Sequence, residues 1–280
     1  MSTHQLSQST PIVLTIAGSD SGGGAGIQAD IKAISATGSF ACSAITAITS
    51  QNTLGVSAIF AIPLDHVASQ LDAVFSDIKV DAVKIGMLAD SDIIEVVARK
   101  IEQYQPKFVV LDPVMVATSG DLLLKTAAIN TLKQRLIPLA DLITPNLPEG
   151  AALTGQAVPK SEDEMGAMIE DLRQLGAKAV LLKAGHLEQD QNSNDLYITQ
   201  DSVSLISAKR VLTKNTHGTG CTLSSAIASY LAQGYDLDCA VVQGKEYISQ
   251  AIAHADKLSI GAGHGPVHHF YATQQYLTQS

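Results

Sequence analysis

The sequence of 280 residues has few cysteines, no basic cluster and no long apolar run, and each absence excludes a class of protein. Its three cysteines, Cys42, Cys221 and Cys239, are widely spaced and odd in number, which excludes a disulfide framework and a cysteine-based zinc site. The net charge of −9 and the lack of a Lys/Arg run argue against nucleic acid as a partner. No apolar run approaches the ~20 residues of a membrane span, so we expect no membrane partner.

The ends and the middle of the chain carry no sign of a second domain. Residues 1–10 are polar and lack the basic region and apolar core of a signal peptide, so we expect a disordered tail and a cytoplasmic location. No linker, repeat or low-complexity stretch divides the sequence, which predicts a single domain over residues 1–280. Because an acidic protein binds phosphates only where a local cradle and a divalent cation offset the repulsion, phosphate chemistry here would be metal-dependent.

Apolar segments of strand length alternate with segments whose apolar residues have helical spacing. The predicted strands are Ile12–Ala17, Phe40–Ile48, Ala82–Ile85, Phe108–Leu111, Asp141–Thr144 and Ala179–Leu182. A hairpin of Leu196–Ile198 with Val203–Ile206 is predicted next, followed by helices over Cys221–Gln233 and Cys239–Leu258. Strands that are apolar on both faces and alternate with helices predict an α/β fold with a mostly parallel sheet covered on both sides. Ligands bind at the carboxyl ends of the strands in such sheets.

The segment Asn215–Thr222 says most about function. Gly218 and Gly220 flank Thr219 where an apolar helix is predicted to begin, so consecutive backbone N–H groups can turn toward one point. With the positive end of the helix dipole they form an anion cradle, and the same field favours the thiolate form of Cys221. A cradle beside an activatable group suits phosphoryl transfer to a hydroxyl, and the alternative is a capped helix with a buried cysteine.

Polar residues follow the other predicted strands. The glycine-rich segment 18–26 is expected to bring the backbone close to a small substrate that Asp30 hydrogen-bonds, with a ligand-free turn as the alternative. Gln51 offers an acceptor and two donors, enough to read the edge of a heterocycle, unless it is merely solvated.

Two carboxylates and two further polar residues come after later strands. Asp112 and Glu149 supply the hard oxygen ligands that Mg²⁺ prefers, and Asn146 and Lys183 suit phosphate oxygens. Alternatively, Glu149 serves only the dipole of its helix, and Lys183 is a surface charge. Because all of these groups are predicted at one edge of the sheet, solvation alone explains them poorly.

Several of these motifs occur together in an order that is typical of one family. They are Gly18–Asp30, Gln51–Thr53, Lys84–Leu88, Thr144–Glu149 and Asn215–Thr222. From about Ile12 to Phe270 the sequence resembles the hydroxymethylpyrimidine/phosphomethylpyrimidine kinases of thiamine biosynthesis, in the ribokinase-like superfamily. The resemblance implies a three-layer α/β/α fold, a homodimer, ATP as co-substrate and Mg²⁺. It also implies phosphorylation of 4-amino-5-hydroxymethyl-2-methylpyrimidine and then of its monophosphate.

The resemblance also implies a role for each site residue. Gln51 would pair with the pyrimidine, in a pocket lined by Asp30, Met87 and Val114. Gly218, Thr219 and Gly220 would form the anion hole, with Cys221 as the base where sugar kinases of the superfamily carry an aspartate. Asp112, Asn146, Glu149 and Lys183 would surround the metal and the phosphates. The alternatives are a pyridoxal kinase of the same superfamily, a hydrolase using Cys221 and His217, and a binding protein without catalysis.

Overall fold

The computed structural model describes residues 9–115, 127–185 and 192–273, so residues 1–8 of the expected tail lie outside it. Its strands are β1 (Ile12–Asp20), β2 (Phe40–Asn52), β3 (Gly55–Ala61), β4 (Ala82–Ile85), β5 (Val109–Leu111), β6 (Leu142–Ile143), β7 (Ala179–Leu182), β8 (Asn192–Thr199) and β9 (Val203–Lys209). They form one sheet in the order β3-β2-β1-β4-β5-β6-β7-β8-β9. The strands from β2 to β7 in this order run parallel, and β3, β8 and β9 pair antiparallel at the two edges.

Helices cover both faces of the sheet. One face carries α1 (Gly26–Ala36), α8 (Thr219–Ala232) and α9 (Leu237–Ala253). The other carries α2 (Leu64–Asp77), α3 (Ser91–Tyr104), α4 (Ala128–Thr131), α5 (Leu147–Thr154), α6 (Glu162–Gly166) and α7 (Ile169–Arg173). A π-helical turn (Leu132–Leu136) and a 3₁₀ turn (Ile137–Leu139) extend α4, and another 3₁₀ turn (Ala255–Lys257) follows α9. None of the described helices has the length and hydropathy needed to cross a bilayer.

Alternation along the strands divides the core into two layers. On β1, Val13 packs with Leu223 and Ile227 of α8, whereas Leu14 packs into the cluster that contains Val97 of α3. Successive side chains of a strand point to opposite faces, so a strand between two helical layers must be apolar on both. The predicted three-layer α/β/α architecture and mostly parallel sheet are confirmed.

The sequence did not reveal the edge formed by β2 and β3. We expected a strand ending at Ile48 with Gln51 among the polar residues after it, but β2 continues to Asn52, turns, and pairs antiparallel with β3. The side chains of Ile59 and Phe60 on β3 are 43% and 65% exposed, because the described helices do not cover this edge of the sheet. An exposed strand with apolar side chains lacks the alternating pattern that identifies strands. Gln51 is therefore held by a strand rather than by a loop.

Candidate active site

A cavity of about 760 Å³ lies at the carboxyl ends of the parallel strands. Every predicted site residue except Asp30 lines it: Gln51, Met87, Asp112, Val114, Asn146, Glu149, Lys183, Gly218, Thr219, Gly220 and Cys221. The parallel topology explains this convergence, because all carboxyl ends of parallel neighbours meet at one edge of the sheet.

The first turn of α8 forms one wall of the cavity. Gly218 caps the helix with a φ of +79°, and a methyl group there would overlap the carbonyl oxygen of Gly24, so only glycine fits. The amide of Thr219 donates to the carbonyl of Thr216 at 3.2 Å. The amides of Gly220 and Cys221 make no hydrogen bond to any described residue. The donors left for an anion are therefore these two amides, and Thr219 contributes to the turn rather than to the cradle.

Gly220 lies against the charged cluster at the ends of β5 and β7. A methyl group on it would come within 3.2 Å of Lys183 Nζ and 3.3 Å of Asp112 Oδ2. Asp112 Oδ1 accepts hydrogen bonds from Lys183 Nζ at 2.8 Å and from Thr144 Oγ1 at 2.9 Å. Although burial opposes it, the charge of Lys183 holds the pKa of Asp112 below its usual value. A helix N-terminus, an ammonium and a carboxylate thus meet at one point.

Glu149 combines a structural role with a place in the cavity. Its Oε2 accepts from the amide of Asn146 at 2.8 Å, and Asn146 Oδ1 accepts from the amide of Glu149 at 2.8 Å, which completes a capping box for α5. Burial raises the pKa of Glu149 to about 7, and the nearby charge of Asp112 acts in the same direction. A carboxyl group that titrates near neutrality would respond strongly to a cation placed beside it.

The two carboxylates suit an ion that shares its coordination with a substrate. No group of three or more His, Cys, Asp or Glu residues that could enclose a metal occurs within residues 9–115, 127–185 and 192–273. Both hydrogen bonds that the described residues donate to the carboxylate of Asp112 fall on Oδ1. Mg²⁺ is typically held by one or two carboxylates together with phosphate oxygens and water. Asp112 and Glu149 fit that pattern. They do not fit a closed site of the kind that holds structural zinc.

The thiol of Cys221 is less acidic than the sequence led us to expect. Burial raises the pKa of Cys221 to about 11, although Lys84 and the amide of Gly26, the first residue of α1, favour the thiolate. Desolvation therefore outweighs the field at the start of α8, and the expected thiolate is wrong near neutral pH. His217 does not assist it, because its Nε2 lies 2.8 Å from Asp20 Oδ2 instead.

Asp30 does not lie where the sequence led us to expect. It is fully buried and absent from the cavity wall. Its carboxylate accepts hydrogen bonds from Lys84 Nζ at 2.8 and 2.9 Å, Thr15 Oγ1 at 2.6 Å and Ser225 Oγ at 2.8 Å. The expected contact between Asp30 and a substrate is therefore wrong in this structure, because protein donors already surround the carboxylate.

Comparison with known proteins decides the family. The model of the phosphomethylpyrimidine kinase family matches residues 20–268. The chain belongs to this family. It is 51% identical over 259 residues to the hydroxymethylpyrimidine/phosphomethylpyrimidine kinase of Escherichia coli (strain K12), covering 92% of this chain and 97% of the relative. The protein is accordingly a kinase, a phosphotransferase.

The solved structures that the chain resembles include kinases of two related activities. A phosphomethylpyrimidine kinase from Clostridium difficile 630 superimposes with a TM-score of 0.75 at 45% identity, covering 86% of this chain and 99% of that one. An ADP complex of Bacillus subtilis pyridoxal kinase superimposes with a TM-score of 0.87 at 35% identity, covering 95% and 99%. The similarity therefore extends beyond the fold to a family of ATP-dependent kinases.

The sequence did not identify the residues that hold the glycine-rich loop of the kinase. Asp20 accepts from the amides of Gly22, Gly24 and Ala25 at 2.7 to 3.0 Å, and its contact with His217 ties this loop to the segment before α8. An aspartate two residues before a glycine is a turn signal that could have predicted the loop hydrogen bonds. No local pattern connects Asp20 with His217, because 197 positions separate them.

The far end of the cavity also went unpredicted. Asp195 of β8 is 2.6 Å from Lys245 of α9 and accepts from the amide of Ala184 at 3.0 Å. Further residues of β8, β9, α9 and the segment after β9 line this end, among them Ser193, Ala208, Val211, Ile248, Ser249 and Ile252. Lys245 lies in the helix predicted over Cys239–Leu258, where a lysine is expected to be solvated. In the structure its side chain is nearly buried. This end lies beyond the charged cluster, away from Gln51.

Proposed function

We propose that the kinase transfers the γ-phosphoryl group of ATP to the hydroxymethyl group of 4-amino-5-hydroxymethyl-2-methylpyrimidine and then phosphorylates the monophosphate. The observation that carries the proposal is the approach of Gly220 to Lys183 and Asp112 in one cavity. Free amides and an ammonium stabilise charge on the migrating group, and phosphoryl transfer depends mainly on such positioning. The name of the Escherichia coli relative, which matches nearly the whole chain, supports the choice of acceptor.

The two substrates would lie in line in the cavity of about 760 Å³. The pyrimidine would occupy the end with Gln51, Met87 and Val114, where the amide group of Gln51 offers donors and an acceptor to the ring. ATP would extend toward Asp195 and Lys245, so that its phosphates lie beside Lys183 and Asn146. The crystal structure of Bacillus subtilis pyridoxal kinase in complex with ADP supports a nucleotide site in this fold.

Mg²⁺ would be held by Asp112 and Glu149. A bound magnesium ion would neutralise charge on the nucleotide phosphates. Lys183 would compensate Asp112 before the ion arrives, because its ammonium is already 2.8 Å away. Deprotonation of Glu149 would accompany metal binding, since its pKa lies at about 7 without metal.

Cys221 would accept the hydroxyl proton in the first phosphorylation. Its pKa of about 11 keeps it protonated at neutral pH, so only a small thiolate fraction acts as base. The acceptor of the second phosphorylation is a phosphate, whose second ionisation has a pKa of ~6, so it needs little help from a base. The two steps would therefore differ in their dependence on Cys221.

We also propose a homodimer. The exposed apolar side chains of Ile59 and Phe60 on the edge strand β3 support it, because such groups on a sheet edge favour association. A cytoplasmic location stays a prediction, consistent with the use of ATP. Sedimentation of the purified protein would test the dimer, and a monomer at micromolar concentration would contradict it.

Phosphorus NMR of the purified protein with ATP, Mg²⁺ and the hydroxymethylpyrimidine tests the proposed function. We expect a monophosphate signal first and a diphosphate signal later, with neither in a control that contains EDTA. Formation of ADP without either product would refute the proposal that the hydroxymethylpyrimidine is the phosphoryl acceptor. The high TM-score with a pyridoxal kinase favours pyridoxal as a second candidate acceptor. Parallel reactions with pyridoxal separate the two, and faster turnover of pyridoxal would favour the second candidate.

A further inference from the structure

Four polar residues that do not line the cavity meet between the sheet and helices α1 and α8. Asp30 of α1 lies at the centre. Its two carboxylate oxygens accept hydrogen bonds of 2.6 to 2.9 Å from Lys84 of β4, Thr15 of β1 and Ser225 of α8. All four are 0% exposed. We call these residues the Asp30 hub. It connects two strands of the sheet with two helices of one face through one carboxylate.

Stability alone explains the hub poorly. Burying an ion pair has a large desolvation cost, and well-packed apolar residues of similar volume are often as stable or more stable. The position of the ammonium is nevertheless fixed closely. A methyl group at Gly86 would come within 2.7 Å of Lys84 Nζ and 3.0 Å of Ala17 Cβ, so the glycine makes room for it. A costly group held in one place indicates a need for geometry.

The hub reaches α8 one turn beyond the cradle. Ser225 lies four residues after Cys221, on the same side of the helix. Its neighbour Ser224 donates to the carbonyl of Gly220 at 2.9 Å, which is the common hydrogen bond of a serine inside a helix. Ser225 instead donates across the layer to Asp30. This bond opposes rotation of the first turns of α8 about the helix axis.

We propose that Asp30 is a positioning residue for phosphoryl transfer: held by Lys84 and bonded to Ser225, it fixes α8 so that the amides of Gly220 and Cys221 face the reacting group. The inference rests on the proposed function of this cavity. It replaces the expected contact between Asp30 and the substrate with an action through α8. Because the amides act mainly on the charge of the transition state, their misalignment lowers kcat more than it changes KM.

Ser225→Ala tests the proposal, and Ser229→Ala is its matched control. Ser229 lies one turn further along α8, is equally buried, and bonds to Thr37 and Ser39 at 2.7 and 2.8 Å. Both variants lose buried hydroxyl bonds of the same helix, so comparable losses of Tm are expected. With the hydroxymethylpyrimidine we expect Ser225→Ala to lower kcat about tenfold, with both KM values within about twofold of the wild type. We expect Ser229→Ala to keep kcat within about twofold.

A double variant, Asp30→Leu with Lys84→Met, removes the charges without leaving one of them unpaired. We expect it to fold with a Tm close to the wild type and to lose at least as much kcat as Ser225→Ala. Wild-type kcat in Ser225→Ala or in the double variant, or an equal loss of kcat in Ser229→Ala, would overturn the positioning role. No turnover by the wild type would instead overturn the proposed function, and the inference with it.

Discussion

The pH dependence of the two phosphorylations offers the sharpest test of Cys221. With a pKa of about 11 the thiol is almost wholly protonated at pH 7, and its thiolate fraction rises about tenfold with each pH unit up to pH 10. If the thiolate accepts the hydroxyl proton, kcat/KM for the first phosphorylation rises by about a hundredfold from pH 7 to pH 9. The second phosphorylation has an ionised acceptor throughout this range and stays nearly constant.

The ratio of the two rates isolates the thiol. Titration of Glu149, of the nucleotide and of bound magnesium affects both steps of the same enzyme, so it cancels in the ratio. Initial rates with the hydroxymethylpyrimidine and with its monophosphate, each measured from pH 7 to pH 9, supply the numbers. Cys221→Ala should lower the first step strongly, leave the second largely intact and give a ratio that no longer changes with pH. A ratio that is constant in the wild-type enzyme, or equal losses in both steps of Cys221→Ala, would refute the role of Cys221 as base.

Three further changes probe other parts of the site. Gly220→Ala should lower kcat at least about tenfold with little change in Tm, because the added methyl group comes within 3.2 Å of Lys183 Nζ. The control is Gly166→Ala, which should leave kcat unchanged because its methyl group meets nothing within 4 Å. Glu149→Gln should raise the Mg²⁺ concentration required for half-maximal rate. The wild type should show the same rise below pH 7, because Glu149, with its pKa of about 7, then takes up a proton. Identical Mg²⁺ curves for the variant and the wild type at pH 8 would contradict this. Asp20→Asn should lower the free energy of unfolding in urea by about 1–3 kcal/mol at pH 7, because an amide NH₂ replaces one of the two oxygens that together accept from three backbone N–H groups.

The pH dependence of the Asp20 variant follows from the same contacts. Although burial opposes it, the hydrogen bonds from His217 and from the loop amides hold the pKa of Asp20 below its usual value. The stabilisation is therefore present above the unfolded-state pKa of about 4 and is lost as the pH falls through the lower folded-state value. The difference in unfolding free energy between wild type and Asp20→Asn should shrink accordingly, and a difference that persists at pH 2 would count against this explanation.

Local pattern sufficed for the parallel core and for the edge at which ligands bind. Strands such as Val109–Leu111 are apolar throughout, and each is followed by polar residues at the same edge, so their convergence follows from topology alone. The cradle could be predicted because Gly218 and Gly220 flank the first residue of an apolar helix. These features depend on residues that are neighbours in the sequence.

Features that depend on contacts between residues far apart in the sequence could not be predicted. Asp30 looked like a ligand because it follows a glycine-rich loop, and nothing local shows that Lys84 and Ser225 occupy its carboxylate. The acidity of Cys221 was misjudged for a similar reason. The helix dipole is visible in the sequence, whereas the desolvation that raises the pKa arises from packing. Charge balance in a protein interior is thus a property of the assembled layers.

The helices α1 and α8 both begin beside the thiol of Cys221, and this arrangement bears on how ATP reaches an acidic enzyme. A nucleotide in solution first encounters a molecule with a net charge of −9, which repels it. The attraction of two helix N-termini operates only over the last few ångströms, well inside the Debye length of ~8 Å at physiological ionic strength. Added salt screens the distant repulsion more than the close attraction. Nucleotide association should therefore become faster as ionic strength rises, the reverse of enzymes that steer anions through a positive surface.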